Sequence, residues 1–141
     1  MQINDIILWF HTSFQEKFII FMEKKMKSKV YFIKVENGEG VSSLAQKTSL
    51  LFNFAGFRDA ISKKDMVAVK TSFGEKGNTG HLKPPIIKAV VDKVKECNGK
   101  PFLIETNTLY EGRRTNAVDH ISHAHDHGFG YENVGAPIII G

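Results

Sequence analysis

One cysteine, Cys97, is too few for any internal disulfide, and a chain without disulfides fits a reducing compartment, so the cytoplasm is the expected location. Proline is scarce, with four in 141 residues, and no apolar run is long enough to span a bilayer. Neither nucleotide-binding fingerprint, G-x-G-x-x-G after a strand or G-K-[ST], is present. A Ser-His-Asp order and an H-E-x-x-H motif are missing too. The net charge of +4 is local: Met22 to Lys34 holds five lysines against one glutamate, and the remaining charges balance. Nucleic-acid binding needs a basic face interleaved with aromatics, so it is not expected. With 42% apolar and 24% charged residues, the composition is that of a chain that folds, and the length suits one core.

The first residues, "MQINDIILWFHTSFQEKFIIF", place Ile3, Ile6, Ile7, Phe10, Phe14, Phe18 and Phe21 at helical period. Polar residues interrupt the stripe, and a row of lysines for anionic lipid is lacking, so membrane association is not expected. Residues 1–28 therefore read as an N-terminal extension. It is either a helix that needs a cover or a non-native upstream stretch with Met22 as the natural start.

From residue 29 a rhythm sets in. Hydrophobic runs rich in β-branched and aromatic residues occur at 29–35, 66–70, 101–105 and 136–140, and Val30, Val67, Phe102 and Ile138 are 37, 35 and 36 residues apart. Helical patterns lie between them, including one that opens on Pro84-Pro85 and closes on Asn98-Gly99. Such alternation predicts an α/β fold, and the nearly unbroken apolar strands point to a mostly parallel sheet of about four strands with helices on both faces, a three-layer architecture.

In open parallel sheets, ligands bind beyond the carboxyl ends of the strands. The segments leaving those ends, 36–41, 71–83 and 106–116, hold most of the unusual polar residues. In the second, Gly74, Gly77 and Gly80 allow backbone amides to approach a ligand, and the helix beginning near Pro84 turns its positive end the same way. Lys70, Glu75, Asn78 and His81 would make such a site specific. In the third, Thr106, Asn107, Tyr110 and the adjacent Arg113 and Arg114 could clamp a carboxylate or phosphate. The expected partner is a small anion.

The helix that follows should bury Ala117, Val118, Ile121 and Ala124 and present His120, His123 and His127 on a neighbouring stripe. Histidines at those offsets can share a divalent metal ion. Cys97 continues the apolar positions of the preceding helix and reads as a small buried hydrophobe.

The stretches "VAVKTSFGEKGNTGHLKP", "NGKPFLIETNTLY", "GRRTNAVDH" and "HGFGYENVGAPIIIG" resemble the domain of unknown function 362 family, whose members are commonly described as uncharacterised iron-sulfur centre proteins. The matching positions are Lys70, Gly74, Glu75, Gly77, Asn78, Pro84, Thr106, Asn107, Tyr110, Arg113, Asn116 and His120. The resemblance implies an α/β region accompanied, in full-length relatives, by a ferredoxin-like cysteine domain that holds 4Fe-4S clusters. One cysteine cannot hold a cubane. The chain accordingly reads as the N-terminal ligand- or metal-binding α/β portion, 29–141, of such a redox protein, an incomplete domain truncated at its C-terminal end. A fragment without independent activity, and a metal-dependent enzyme with His81 or His120 as general base, remain as alternatives.

Overall fold

The computed structural model describes residues 29–141; the expected N-terminal helix lies outside the described residues. The fold is α/β. In chain order come α1 (Val41–Phe54), a 3-10 turn (Phe57–Ala60), β1 (Met66–Lys70), α2 (Pro84–Glu96), β2 (Lys100–Glu105), α3 (Ala117–Asp126), α4 (Tyr131–Val134) and β3 (Ile138–Ile140). The strands form an open parallel sheet in the order β1-β2-β3. Val69 lies beside Leu103, and Leu103 beside Ile138. Three of the four hydrophobic runs enter the sheet. The first, 29–35, is exposed and belongs to no strand.

Sequence and topology together account for how the helices are disposed. The strands advance in one direction across the sheet, and right-handed crossovers taken repeatedly in one direction deposit their helices on one face. Side chains that alternate along a strand bear this out. Val67, Val69, Leu103, Ile138 and Ile140 share a face by register and pack with Ile87 and Val91 of α2, Ala124 of α3 and Val134 of α4, or with Phe52 of α1. On the other face Met66 is 76% exposed and Ile139 46% exposed. Among the described residues the sheet is thus covered on one side, where the apolar strands led to an expectation of helices on both. Covering both faces requires the chain to reverse its direction across the sheet, and the order β1-β2-β3 contains no reversal.

The core lies between the sheet and α2. Leu103, Val91, Phe73 and Phe129 are fully buried in it. Phe73 belongs to the loop after β1 and Phe129 to the segment after α3, and their rings meet at 5.0 Å between centroids. Two loop phenylalanines therefore anchor the carboxyl rim of the sheet to its core. Cys97 sits at the far end of α2 in a second cluster with Phe52 and Val94, a small buried hydrophobe as its spacing indicates.

Candidate functional site at the carboxyl rim of the sheet

Because the strands are parallel, the loops after β1 (71–83) and β2 (106–116) leave the same edge of the sheet, and they meet there. Glu75 of the first loop accepts hydrogen bonds from the Arg114 Nε of the second, at 2.8 Å, and from the Tyr110 hydroxyl. Arg114 also reaches the Ser72 hydroxyl at 3.2 Å, the Tyr110 oxygen at 2.8 Å and Glu105 Oε2 at 3.5 Å. Lys70, the last residue of β1, donates to Glu105 Oε1 at 2.5 Å across the strand ends. One guanidinium thus knits two loops and two strand ends together.

The charges in this network alternate and settle one another. Glu105 is 5% exposed. Burial alone would raise its pKa, but the hydrogen bond from Lys70, the Thr106 N–H and the charges of Lys70 and Arg114 outweigh burial and hold the carboxyl below its usual range. The Tyr110 hydroxyl lowers Glu75 most; burial opposes it, and the hydrogen bond and charge of Arg114 add to the lowering. Both carboxyls are therefore ionised at neutral pH, and Arg114 is held more firmly protonated by the same contacts.

Lys70, Thr71, Ser72, Gly74, Asn78 and His81 line a cleft of about 530 Å³ beside this network. Its lining residues bring an ammonium, a serine hydroxyl, an amide and an imidazole, and no carboxylate, while the Thr71 hydroxyl is itself buried. The glycine spacing does its conformational work here. Gly74 and Gly77 have φ of 81° and 78°, a region that side chains disfavour, and a Cβ on Gly74 would stand 2.9 Å from the His81 ring. Asn78 organises the loop: its Oδ1 accepts from the Gly80 N–H at 2.6 Å, and its carbonyl faces His81 Nδ1 at 3.1 Å.

The N-terminus of α2 contributes less than its position suggests. Pro84 and Pro85 occupy its first two positions and have no N–H to offer, and the Ile86 N–H is already bonded to the Lys83 carbonyl. The same prolines that signal a helix start therefore remove donors an anion would use.

His120 and His123 lie on the buried face of α3, and His125 is exposed. His120 and His123 are fully buried with Ala124, whereas Val118, expected to point inward, is 80% exposed. The reason is that α3 packs against the rim loops, whose free carbonyls need donors, as well as against apolar side chains. His123 Nε2 meets the Gly74 carbonyl at 3.0 Å, and His127 Nδ1 meets the Phe73 carbonyl at 2.7 Å. A carbonyl only accepts, so each of those nitrogens carries the proton, which fixes both tautomers. His120 Nδ1 lies 3.3 Å from Asn107 Oδ1. The three rings expected to share a metal are thus directed to three different acceptors. Among the described residues no group of three or more His, Cys, Asp or Glu is arranged to hold a metal ion.

The histidines that do gather are His81, His123 and His127. His81 stacks on His127 at 4.7 Å, and His127 meets His123 at 4.2 Å. Burial is the main cause holding His81, His120 and His123 below the ordinary histidine pKa, with the nearby charges of Lys83, Arg114 and Arg113 adding to it. These rings are neutral at pH 7. His120 Nε2, His123 Nδ1 and the Thr71 hydroxyl are buried and have no partner.

The two loops of candidate residues therefore form one rim, with Lys70, Gly74, Asn78 and His81 lining the cleft, Glu75 and Tyr110 in the network beside it, and Asn107 facing His120. Gly77 shapes the turn from Glu75 to Asn78, and Thr106 donates its N–H to Glu105. Arg113 stands apart, paired with Asp126 on the outer side of α3. Its neighbour Arg114 takes the central place. Ser72 and Thr71 were not singled out by the sequence; the signal for them is their position as the first two residues beyond a parallel strand.

A family model described as "Domain of unknown function (DUF362)" matches residues 67–140, a span that begins in β1, ends in β3 and includes both rim loops. No curated protein and no solved structure matches the chain.

Proposed function

The chain belongs to the DUF362 family, and from that premise we propose that its sheet rim binds a small anion, a carboxylate or a phosphate, as the ligand-binding portion of an iron-sulfur redox protein. The observation that carries the anion is the wall of the cleft, which includes Lys70 and Ser72 and no carboxylate-bearing residue. The Lys70 side chain is 58% exposed and Glu105 engages one hydrogen of its ammonium, which leaves two for an incoming oxygen. Glu75 is paired with Arg114, and Glu105 with Lys70 and Arg114, so both carboxylates are tied into the scaffold.

A cluster fits this chain poorly. A cubane needs four thiolates, and Cys97 is a single thiol packed between Phe52 and Val94, away from the rim. Thiolates for a cluster would come from outside these 141 residues, on a ferredoxin-like partner domain. Binding and redox chemistry then belong to different parts of the assembly. A cytoplasmic setting suits this reading, and no helix among the described residues is long and apolar enough to cross a membrane.

Calorimetric titration of the full chain with inorganic phosphate and with small carboxylates tests the anion. Lys70→Met should weaken binding about 10-fold or more, the worth of one charge-assisted hydrogen bond, with the fold intact by circular dichroism. Arg113→Ala should bind as the wild type does. Equal affinity for Lys70→Met and wild type, or no binding of either anion at millimolar concentration, overturns the reading.

A further inference from the structure

β1 pairs with β2 on one side and, among the described residues, with nothing on the other. An edge strand presents a row of unpaired N–H and C=O groups, which natural sheets cover or interrupt. Along this edge runs an apolar groove of about 660 Å³, walled by Leu51 and Phe52 of α1, Phe57 and Ile61 about the 3-10 turn, and Met66 to Val69 of β1. Four consecutive strand residues alternate between faces, so a groove lined by all four follows the backbone edge itself.

A segment of the same chain suits that groove. Tyr31–Val35, "YFIKV", is all β-branched or aromatic apart from one lysine, matches β1 in its five residues, and is exposed with no strand partner; Phe32 is 87% exposed. The element that follows it, α1, already lies where a crossover helix would: Phe52 packs with Val94, Cys97 and Val67 on the helix-bearing face. The handedness that carries the chain from β1 to β2 to β3 places, one step back, the strand preceding α1 at the free edge of β1. Seated there, Tyr31, Ile33 and Val35 alternate toward α1 and Phe57, while Phe32 and Lys34 face the uncovered side. Lys47 of α1 holds the approach in place, its Nζ 2.6 Å from the Lys34 carbonyl and 2.7 Å from Glu39.

We propose that Tyr31–Val35 is a detachable edge strand whose seat is the groove along β1, where it completes a four-stranded parallel sheet. The occupant is the chain's own segment, because a tether of a few residues gives it an effective concentration in the millimolar range that a second copy must match in solution. Seating has a consequence at the rim. The turn Glu36–Gly40 leaves the carboxyl end of the new strand and so joins the two loops that border the cleft. The inference stands without the anion reading, since the groove and the cleft share no lining residue.

Amide hydrogen exchange on the full chain decides it. The amides of Tyr31–Val35 should exchange roughly 100-fold more slowly than in an unstructured chain, as cooperative local structure requires. Ile33→Asp, which puts a charge against α1, should return those five amides to the free rate while β2 and α2 keep their protection. Exchange of the wild-type segment at the free rate overturns the proposal. So does protection that appears only at concentrations where ultracentrifugation shows a dimer, because the occupant is then a second copy.

Discussion

Removing the Arg114 guanidinium leaves Glu75, Ser72, Tyr110 and Glu105 without their shared donor, whereas removing Arg113 frees one exposed carboxylate, Asp126. Arg114→Met should therefore lower stability by about 2 kcal/mol, the order of a hydrogen-bonded charge lost from a half-buried network, and Arg113→Met should leave the melting temperature unchanged. Thermal denaturation of the two variants side by side checks the contrast. Nothing in "GRRTN" distinguishes the two arginines, because which of two successive side chains turns inward depends on the path of a loop that no periodicity governs. Titration at single residues follows the same logic. His81, His120 and His123 have folded pKa values below the ordinary histidine value of 6.5, so the unfolded chain binds more protons. Their contribution is complete above pH 6.5 and is lost as pH falls below it. Glu75 and Glu105 are lowered from 4.5, so their contribution holds above pH 4.5 and is lost below it. Urea midpoints should fall in two stages as pH drops, and His123→Gln should flatten the upper stage while leaving the lower one.

At the scale of elements, α3 shows how a residue pattern can mark a helix and mislead about its face. Asn116 caps it, accepting the Asp119 N–H at 3.0 Å, as the sequence "TNAVDH" indicates. Asn116→Ala should cost about 1 kcal/mol, measured by chemical denaturation. The inward face was legible only in part: Ala124 is buried as expected and Val118 is not, because a rule that buries Ala117, Val118, Ile121 and Ala124 weighs apolarity and not the demand of Phe73 and Gly74 carbonyls for donors. The loop after β1 was better marked. Glycines at 74 and 77 correspond to left-handed backbone, and Gly74→Ala places a methyl against His81. It should destabilise the chain by about 1–2 kcal/mol through strain, and perturb the His81 ring resonances in NMR spectra by disturbing its stack on His127. Pro84 and Pro85 carry the opposite lesson: they announce α2 and deplete its donors.

For the whole molecule, the parallel α/β fold follows from the spacing of the hydrophobic runs, and the family match over residues 67–140 agrees with it. The sheet face that no described residue covers gives a prediction at this scale. Met66 and Ile139, both largely on the surface, should support self-association or dye binding, and Ile139→Lys should reduce both with little change in melting temperature. Light scattering and fluorescence of an apolar dye provide the measurement. The amino-acid order alone determined the period of its elements, the direction of its strands and the rim at which polar residues collect, because those depend on local pattern and on the short, handed connections between neighbours. Only the tertiary structure decided that, among the described residues, helices cover one face of the sheet, that Arg114 and not Arg113 ties the loops, and that His120 and His123 of α3 turn inward. Each depends on contacts between segments 30 or more residues apart, such as Arg114 with Glu75 or His123 with Gly74, which no local period encodes.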